Sequence, residues 1–159
     1  MNAVLLKTSF VLILFTLITS CDKDINSNLQ TNYEYIKYGT SFNNCIGYCY
    51  KSVTISDSII EYEKKGRNIN GNLPDFYSTK TIDHDYWNNL QGSISFDSFM
   101  QLDSIIGCPD CADGGAEWIE INTIDKKHKV KFEFGKEPEE VRSLLGYLKI
   151  SLKSIEDIK

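Results

Sequence analysis

Alternating apolar and polar positions mark the strands. Over residues 50–55, Val53 and Ile55 stand against Thr54; over residues 59–64, Ile60 and Tyr62 stand against Glu61 and Glu63. Ser56-Asp57-Ser58 between them supplies a turn, so the pair reads as a hairpin. A Gly- and Asn-rich stretch over residues 66–74 is a loop, and residues 76–82 form a third strand. The period then changes. Asp83 is placed to cap a helix over residues 85–90, with Asp85 in its first turn. Ser95 caps a second, in which Phe96, Phe99 and Leu102 fall at i, i+3 and i+6. Residues 118–124 and 129–134 alternate again and make a hairpin across Asp125-Lys126-Lys127, with Val130, Phe132 and Phe134 inward. Pro138 opens the last helix at its first position, with Glu139 and Glu140 in the first turn. Val141, Leu144, Leu145, Leu148, Leu152 and Ile155 give it one apolar stripe. The order β-β-β-α-α-β-β-α predicts an α+β domain over residues 33–159. Its antiparallel sheet of about five strands would be covered on one face by helices.

A different pattern precedes this domain. An apolar run over residues 8–18 follows Lys7. About eleven residues at 1.5 Å each reach only ~16 Å, short of the ~30 Å needed to cross a hydrocarbon core. The run is a secretory h-region. It ends in Ile18-Thr19-Ser20-Cys21, which resembles the lipobox of bacterial lipoproteins. That resemblance implies a signal peptide over residues 1–20 and acyl chains on the sulfur and freed amine of Cys21. The plainer alternative is a signal peptide cut near Ser20 with Cys21 structural. Residues 21–32 then form the lipidated cysteine and a polar tether, whose eleven residues after Cys21 reach at most ~36 Å. The charged start of this tether, Asp22-Lys23-Asp24, is similar to the surface-export signal of Bacteroidetes lipoproteins. The expected location is the cell envelope, at the outer membrane, on its periplasmic or surface side.

Composition agrees with an ordinary folded domain: 42% apolar, 25% charged and 12% aromatic residues exclude a disordered chain. The net charge of −5 argues against nucleic acid, whose phosphates demand a basic face.

Past Cys21, four cysteines stand as Cys45-Ile46-Gly47-Tyr48-Cys49 and Cys108-Pro109-Asp110-Cys111. An exported chain meets oxidising conditions, so disulfides are the first expectation. Bridges between the clusters would close loops of ~60 residues and contribute ~4 kcal/mol, against ~2 kcal/mol for a local loop of four. Local closure is geometrically open, because Gly47 and Pro109 each permit a tight turn. A Cys₄ zinc site and a redox pair at Cys108 and Cys111 are the alternatives. Asp83-His84-Asp85 is either a metal site or a helix cap, and the cap is preferred. His128 is expected in solvent beside its turn. Asp110, Asp113 and Glu117 around Gly114-Gly115 carry oxygen ligands suited to Ca²⁺, although their spacing is not that of an EF-hand loop. Tyr33, Tyr35, Tyr38 and Phe42 form either an N-terminal strand or a binding face. No nucleophile elbow, zinc-protease helix or phosphate loop is legible, so no catalytic residue and no cofactor is assigned.

The chain from Phe42 to the last helix resembles an uncharacterised family of small bacterial lipoproteins. The carriers are Cys45-Ile46-Gly47-Tyr48-Cys49, Trp87-Asn88-Asn89-Leu90, and the run from Gly107 through Cys108-Pro109-Asp110-Cys111 to Trp118. Cys-x-Gly-x-Cys before a hairpin is also similar to a wider family that keeps the first pair without the second. That resemblance implies local pairing of the cysteines; it implies no activity. The expected function is a non-enzymatic, lipid-anchored module. It would be held to the membrane through Cys21 and would bind a protein or surface ligand. The alternative is thiol-disulfide or metal handling through Cys108 and Cys111.

Overall fold

Among the described residues, four strands precede the first helix: β1 (Tyr33–Ser41), β2 (Gly47–Ser56), β3 (Ile59–Arg67) and β4 (Phe76–Thr81). Helices α1 (His84–Gly92) and α2 (Phe96–Met100) follow, then β5 (Ile105–Ile106), β6 (Ala116–Thr123), β7 (Lys127–Glu133) and α3 (Arg142–Glu156). The computed structural model of the chain describes residues 31–67 and 73–156. The expected signal segment, Cys21, nearly all of the expected tether and the middle of the expected loop over residues 66–74 lie outside the described residues. The class is α+β, with one sheet in the order β4-β3-β2-β1-β6-β7-β5.

That sheet corrects the expected strand count. β1 is a full central strand, antiparallel to both β2 and β6. Its alternation is hidden because tyrosines fall on both sides of it and its register slips between Tyr33 and Tyr35. β5 has only two residues, too few to show a period, and it lies parallel to β7, so the sheet is mixed.

Alternation along the strands buries one face. Ile36, Tyr38, Val53, Ile55, Ile60, Tyr62, Ile119, Ile121, Val130 and Phe132 point to it. Trp87 and Leu90 of α1, Phe99 of α2 and Leu144, Leu145, Leu148 and Ile155 of α3 pack against them. Fully burying each such side chain contributes roughly 1.5–3 kcal/mol. Ser151 lies in the same stripe of α3; its hydroxyl donates to the Tyr147 carbonyl at 2.8 Å and meets the Tyr86 hydroxyl.

The ends of elements show where local signals hold. Asp83 caps α1 as expected, its Oδ1 accepting from the Tyr86 amide at 2.7 Å. Ser95 makes no such side-chain bond to the α2 backbone and meets the Ser98 hydroxyl. Pro138 precedes a 3₁₀ turn, Glu139–Val141, and the α-helix starts only at Arg142. Phe134 lies past the end of β7 and is 46% exposed, its ring tilted against Phe42 and not turned inward. His128 is half-buried and not solvated: its Nε2 lies 2.9 Å from the Leu102 carbonyl and its ring meets Phe99 edge-on.

Two tyrosines give the fold an alkaline limit. Burial first, and then the Glu117 carboxylate, raises the Tyr38 phenol far above the ordinary 10.0. Burial first, then the nearby Glu156 charge, pushes Tyr62 up to about 12. In the unfolded chain both ionise near 10, while in the fold they stay neutral. Their stabilisation is therefore complete below pH 10 and is lost as the pH climbs towards the folded values. We expect a melting temperature that falls by several degrees between pH 10 and about 12. Part of that fall should vanish in Tyr62→Phe, read by circular dichroism across a pH series. A melting temperature equally steep in pH for the variant would contradict the assignment.

Candidate functional site

The second face of the sheet has no helix packed on it among the described residues, and its side chains follow from the same alternation. Opposed residues of an antiparallel pair point the same way. Lys37, Glu120 and Lys129 therefore form one row across β1, β6 and β7; Gly39, Trp118 and Lys131 form the next. Tyr35, Asn122 and Lys127 form a third row. On the other flank, Thr54 pairs with Glu61, and Glu61 with Thr79; Ser52 pairs with Glu63, and Glu63 with Tyr77.

Trp118 lies at the centre of this face. Its ring rests on Gly39, where a Cβ would collide with the indole and with the Lys51 carbonyl. Tyr50 stacks beside it, with centroids 6.1 Å apart. Lys129 Nζ stands 3.9 Å and Lys37 Nζ 5.8 Å from the ring centroid. The indole is thus only 4% exposed and serves as a shelf for two ammonium groups, each gaining a cation–π attraction.

The neighbouring lysines are paired. Lys127 Nζ donates to the Tyr35 hydroxyl at 2.9 Å and lies 2.9 Å from Glu120 Oε1; Tyr35 donates to the same carboxylate at 2.8 Å. Burial pushes the Glu120 carboxyl up, but the hydrogen bonds from Lys127 and Tyr35 outweigh it and hold it below the usual range. Lys131 Nζ meets Asp110 Oδ2 at 2.6 Å. Lys37 and Lys129 have no carboxylate within ion-pair distance among the described residues. Burial lowers the Lys129 ammonium pKa and outweighs the opposing charge of Glu120, its cross-strand neighbour; the charges of Lys37, Lys131 and Lys127 add to the lowering. Between Lys37 and β4 runs a groove of about 250 Å³, lined by Lys37, Thr54, Glu61, Glu63, Tyr77 and Thr79.

The cysteines lie elsewhere. Cys45 pairs with Cys49 and Cys108 with Cys111, with Cα atoms 5.6 and 5.4 Å apart. The four cysteines are therefore two local pairs, the pairing that the resemblance implies. Both loops sit at one end of the sheet, tied by Asn44 Nδ2 donating to Asp113 Oδ2 at 3.2 Å. Phe42, between Gly115 and Phe134, fills the space between the loops. Gly115 has φ of +78°, and its missing Cβ leaves room for the Phe42 ring.

The proposed oxygen ligands do not converge. Asp110 holds Lys131, Asp113 holds Asn44, and Glu117 points to the covered face. There Glu117 Oε1 accepts from the Tyr38 hydroxyl at 3.2 Å and meets Lys149 at 3.0 Å. His84 meets Asp57 at 2.8 Å on the surface, 27 residues back in the chain. Among the described residues, no three His, Cys, Asp or Glu side chains are grouped to hold a metal ion. No described helix is long and apolar enough to cross a membrane. The lysine–tryptophan shelf was not singled out from sequence. Its signal was the run Lys127, Lys129, Lys131 facing Trp118 across the hairpin. The chain matches no known protein family and no curated protein.

Proposed function

We propose that the protein is a lipid-anchored, non-enzymatic envelope module, belonging to the lipoprotein group it resembles, that binds its ligand on the helix-free face of the sheet. The observation that supports this is the shelf of Lys37 and Lys129 over Trp118, beside a polar groove on a face that contributes little to the core. Cys21 carries the anchor in this reading. Intact-mass measurement of the mature chain should show the loss of residues 1–20 and the added acyl mass. A photo-crosslinking side chain at Thr54 should then capture a ligand in the native envelope, while one at Ile150, 66% exposed on α3, should not. An unprocessed start, or capture from Ile150 alone, would count against the proposal.

A second reading places thiol-disulfide or metal chemistry at Cys108 and Cys111. It is favoured by their exposure and by the backbone around them: Asp110, Ala112 and Asp113 have φ of 66°, 51° and 59°, a conformation that costs energy in residues with a Cβ. Replacing both cysteines by Ser separates the two. A melting temperature lowered by several degrees with ligand capture intact supports a structural staple. A folded variant that has lost disulfide-exchange or metal binding supports the second reading.

A further inference from the structure

We infer that the free edge of β4 pairs with the same edge of a second copy of this chain, antiparallel about Ser78. The pairing is separate from the ligand reading above and stands or falls without it.

The backbone of β4 is the first argument. The strand ends the sheet, with β3 on one side and no strand beyond it among the described residues. The Ile82 amide donates to the Ser58 carbonyl at 3.0 Å, and the same register sets Lys80 opposite Ile60 and Ser78 opposite Tyr62. Main-chain groups in an antiparallel ladder alternate in direction, so those of Phe76, Ser78 and Lys80 face β3. Those of Tyr77, Thr79 and Thr81 face away from the sheet, a row of donors and acceptors ready for another strand.

Nothing in the sequence of β4 guards that row. Phe76-Tyr77-Ser78-Thr79-Lys80-Thr81 holds no proline and no acid, a single lysine, and no shift of register against β3. Aromatic and β-branched residues favour the extended chain. Sheets protect free edges with charge, proline, bulges or a covering segment. The opposite edge has such protection: β5 lies along Lys131 and Phe132, and the rest of β7 there is Lys127-His128-Lys129.

Self-complementarity selects the occupant. β4 is aromatic at its start, where Phe76 is 40% and Tyr77 64% exposed, and carries its one charge near its end, on Lys80. An antiparallel copy brings the two ends together. With Ser78 on the two-fold axis, Tyr77 of each copy exchanges both main-chain hydrogen bonds with Thr79 of the other. Phe76 then lies opposite Lys80 of the second copy, a ring against an ammonium group, and the Tyr77 ring covers a β-branched threonine. A shift by two residues would set Lys80 against its own copy, and like charges directly opposed are unfavourable. The chain carries a net −5, and β4 is a stretch where two copies meet without a carboxylate in the contact. The groove on the helix-free face ends at Tyr77 and Thr79, so the second copy walls its open side. A six-residue edge is smaller than a standard interface of roughly 800 Å² per partner, so the pairing is weak and reversible.

The test co-expresses two full-length copies bearing different C-terminal tags, one with a photo-crosslinking side chain at Thr81. The expected result is an adduct carrying both tags, with Thr81 joined to the other copy near Asp75. Thr79→Pro removes an outward N–H that β3 does not use, and should abolish the adduct. Lys80→Glu, at an exposed side chain, should reduce it several-fold. Both variants should melt within a few degrees of the parent; if the proline variant does not fold, the Lys80→Glu result decides. No two-tag adduct, an adduct with a different protein only, a join to another surface of the second copy, or an adduct undiminished in the folded variants would overturn the inference.

Discussion

Phe132→Ala is expected to lower the unfolding free energy by about 3–5 kcal/mol, a large share of the ~5–15 kcal/mol that keeps a domain folded. Phe132 is fully buried and pairs with Ile106 on one side and Glu117 on the other. Its strand is held between β5 and β6, so the backbone has little freedom to close the cavity. Lys129→Gln, three residues earlier on the opposite side of β7, is expected to cost about 1 kcal/mol or less, the size of one exposed cation–π contact. Urea unfolding followed by circular dichroism measures both. The contrast is the physical content of a two-sided sheet: one side supplies cohesion and the other carries polar and charged side chains. A Phe132→Ala cost below 1 kcal/mol would mean that this contrast is wrong.

Gly39→Val should be the most damaging change on the helix-free face, at about 1–3 kcal/mol. The added branch meets the Trp118 ring and the Lys51 carbonyl, and the carbonyl belongs to a paired strand that has no room to retreat. The indole must tilt away, and Lys37 and Lys129 then lose their common support. Stability and ligand affinity should fall together. The same loss of support should appear as a shifted Trp118 emission, read in a Trp87→Phe background because the chain has two tryptophans. A variant that melts and emits like the parent would show that the ring does not need the glycine.

The parts of this molecule that were legible in advance are those written in one stretch of chain. The hairpin of β2 and β3, the Asp83 cap of α1, the apolar stripe of α3 and the α+β class follow from local period and turn chemistry. The single strand β1 shows why the rest did not. Its neighbours are β2 and β6, the latter some eighty residues away (Tyr35 meets Glu120 across a separation of 85), and its aromatics serve both faces. No period within the strand reports that partnership. The shelf depends on it, because Lys37 and Gly39 come from β1 while Trp118 and Lys129 come from the distant hairpin. Phe134 and His128 misled for a related reason: a pattern runs on past the end of a strand, and a loop folded back over β7 gives a polar ring an acceptor in Leu102. The cysteine pairs were open to three connectivities in the sequence, and loop-closure entropy favoured the wrong ones. The fold resolves this by placing each pair at its own turn.

β1 is both the first strand among the described residues and the middle of its sheet. A pull transmitted through the chain ahead of Tyr33 therefore runs along a strand clamped on two sides. Its hydrogen bonds to β2 and β6 lie across the line of force and must fail together in shear, where an edge strand would peel one bond at a time. In the lipid-anchored reading proposed above, such a strand resists drag transmitted through the tether, and force spectroscopy through the N-terminus should meet a higher rupture force than through the C-terminal helix.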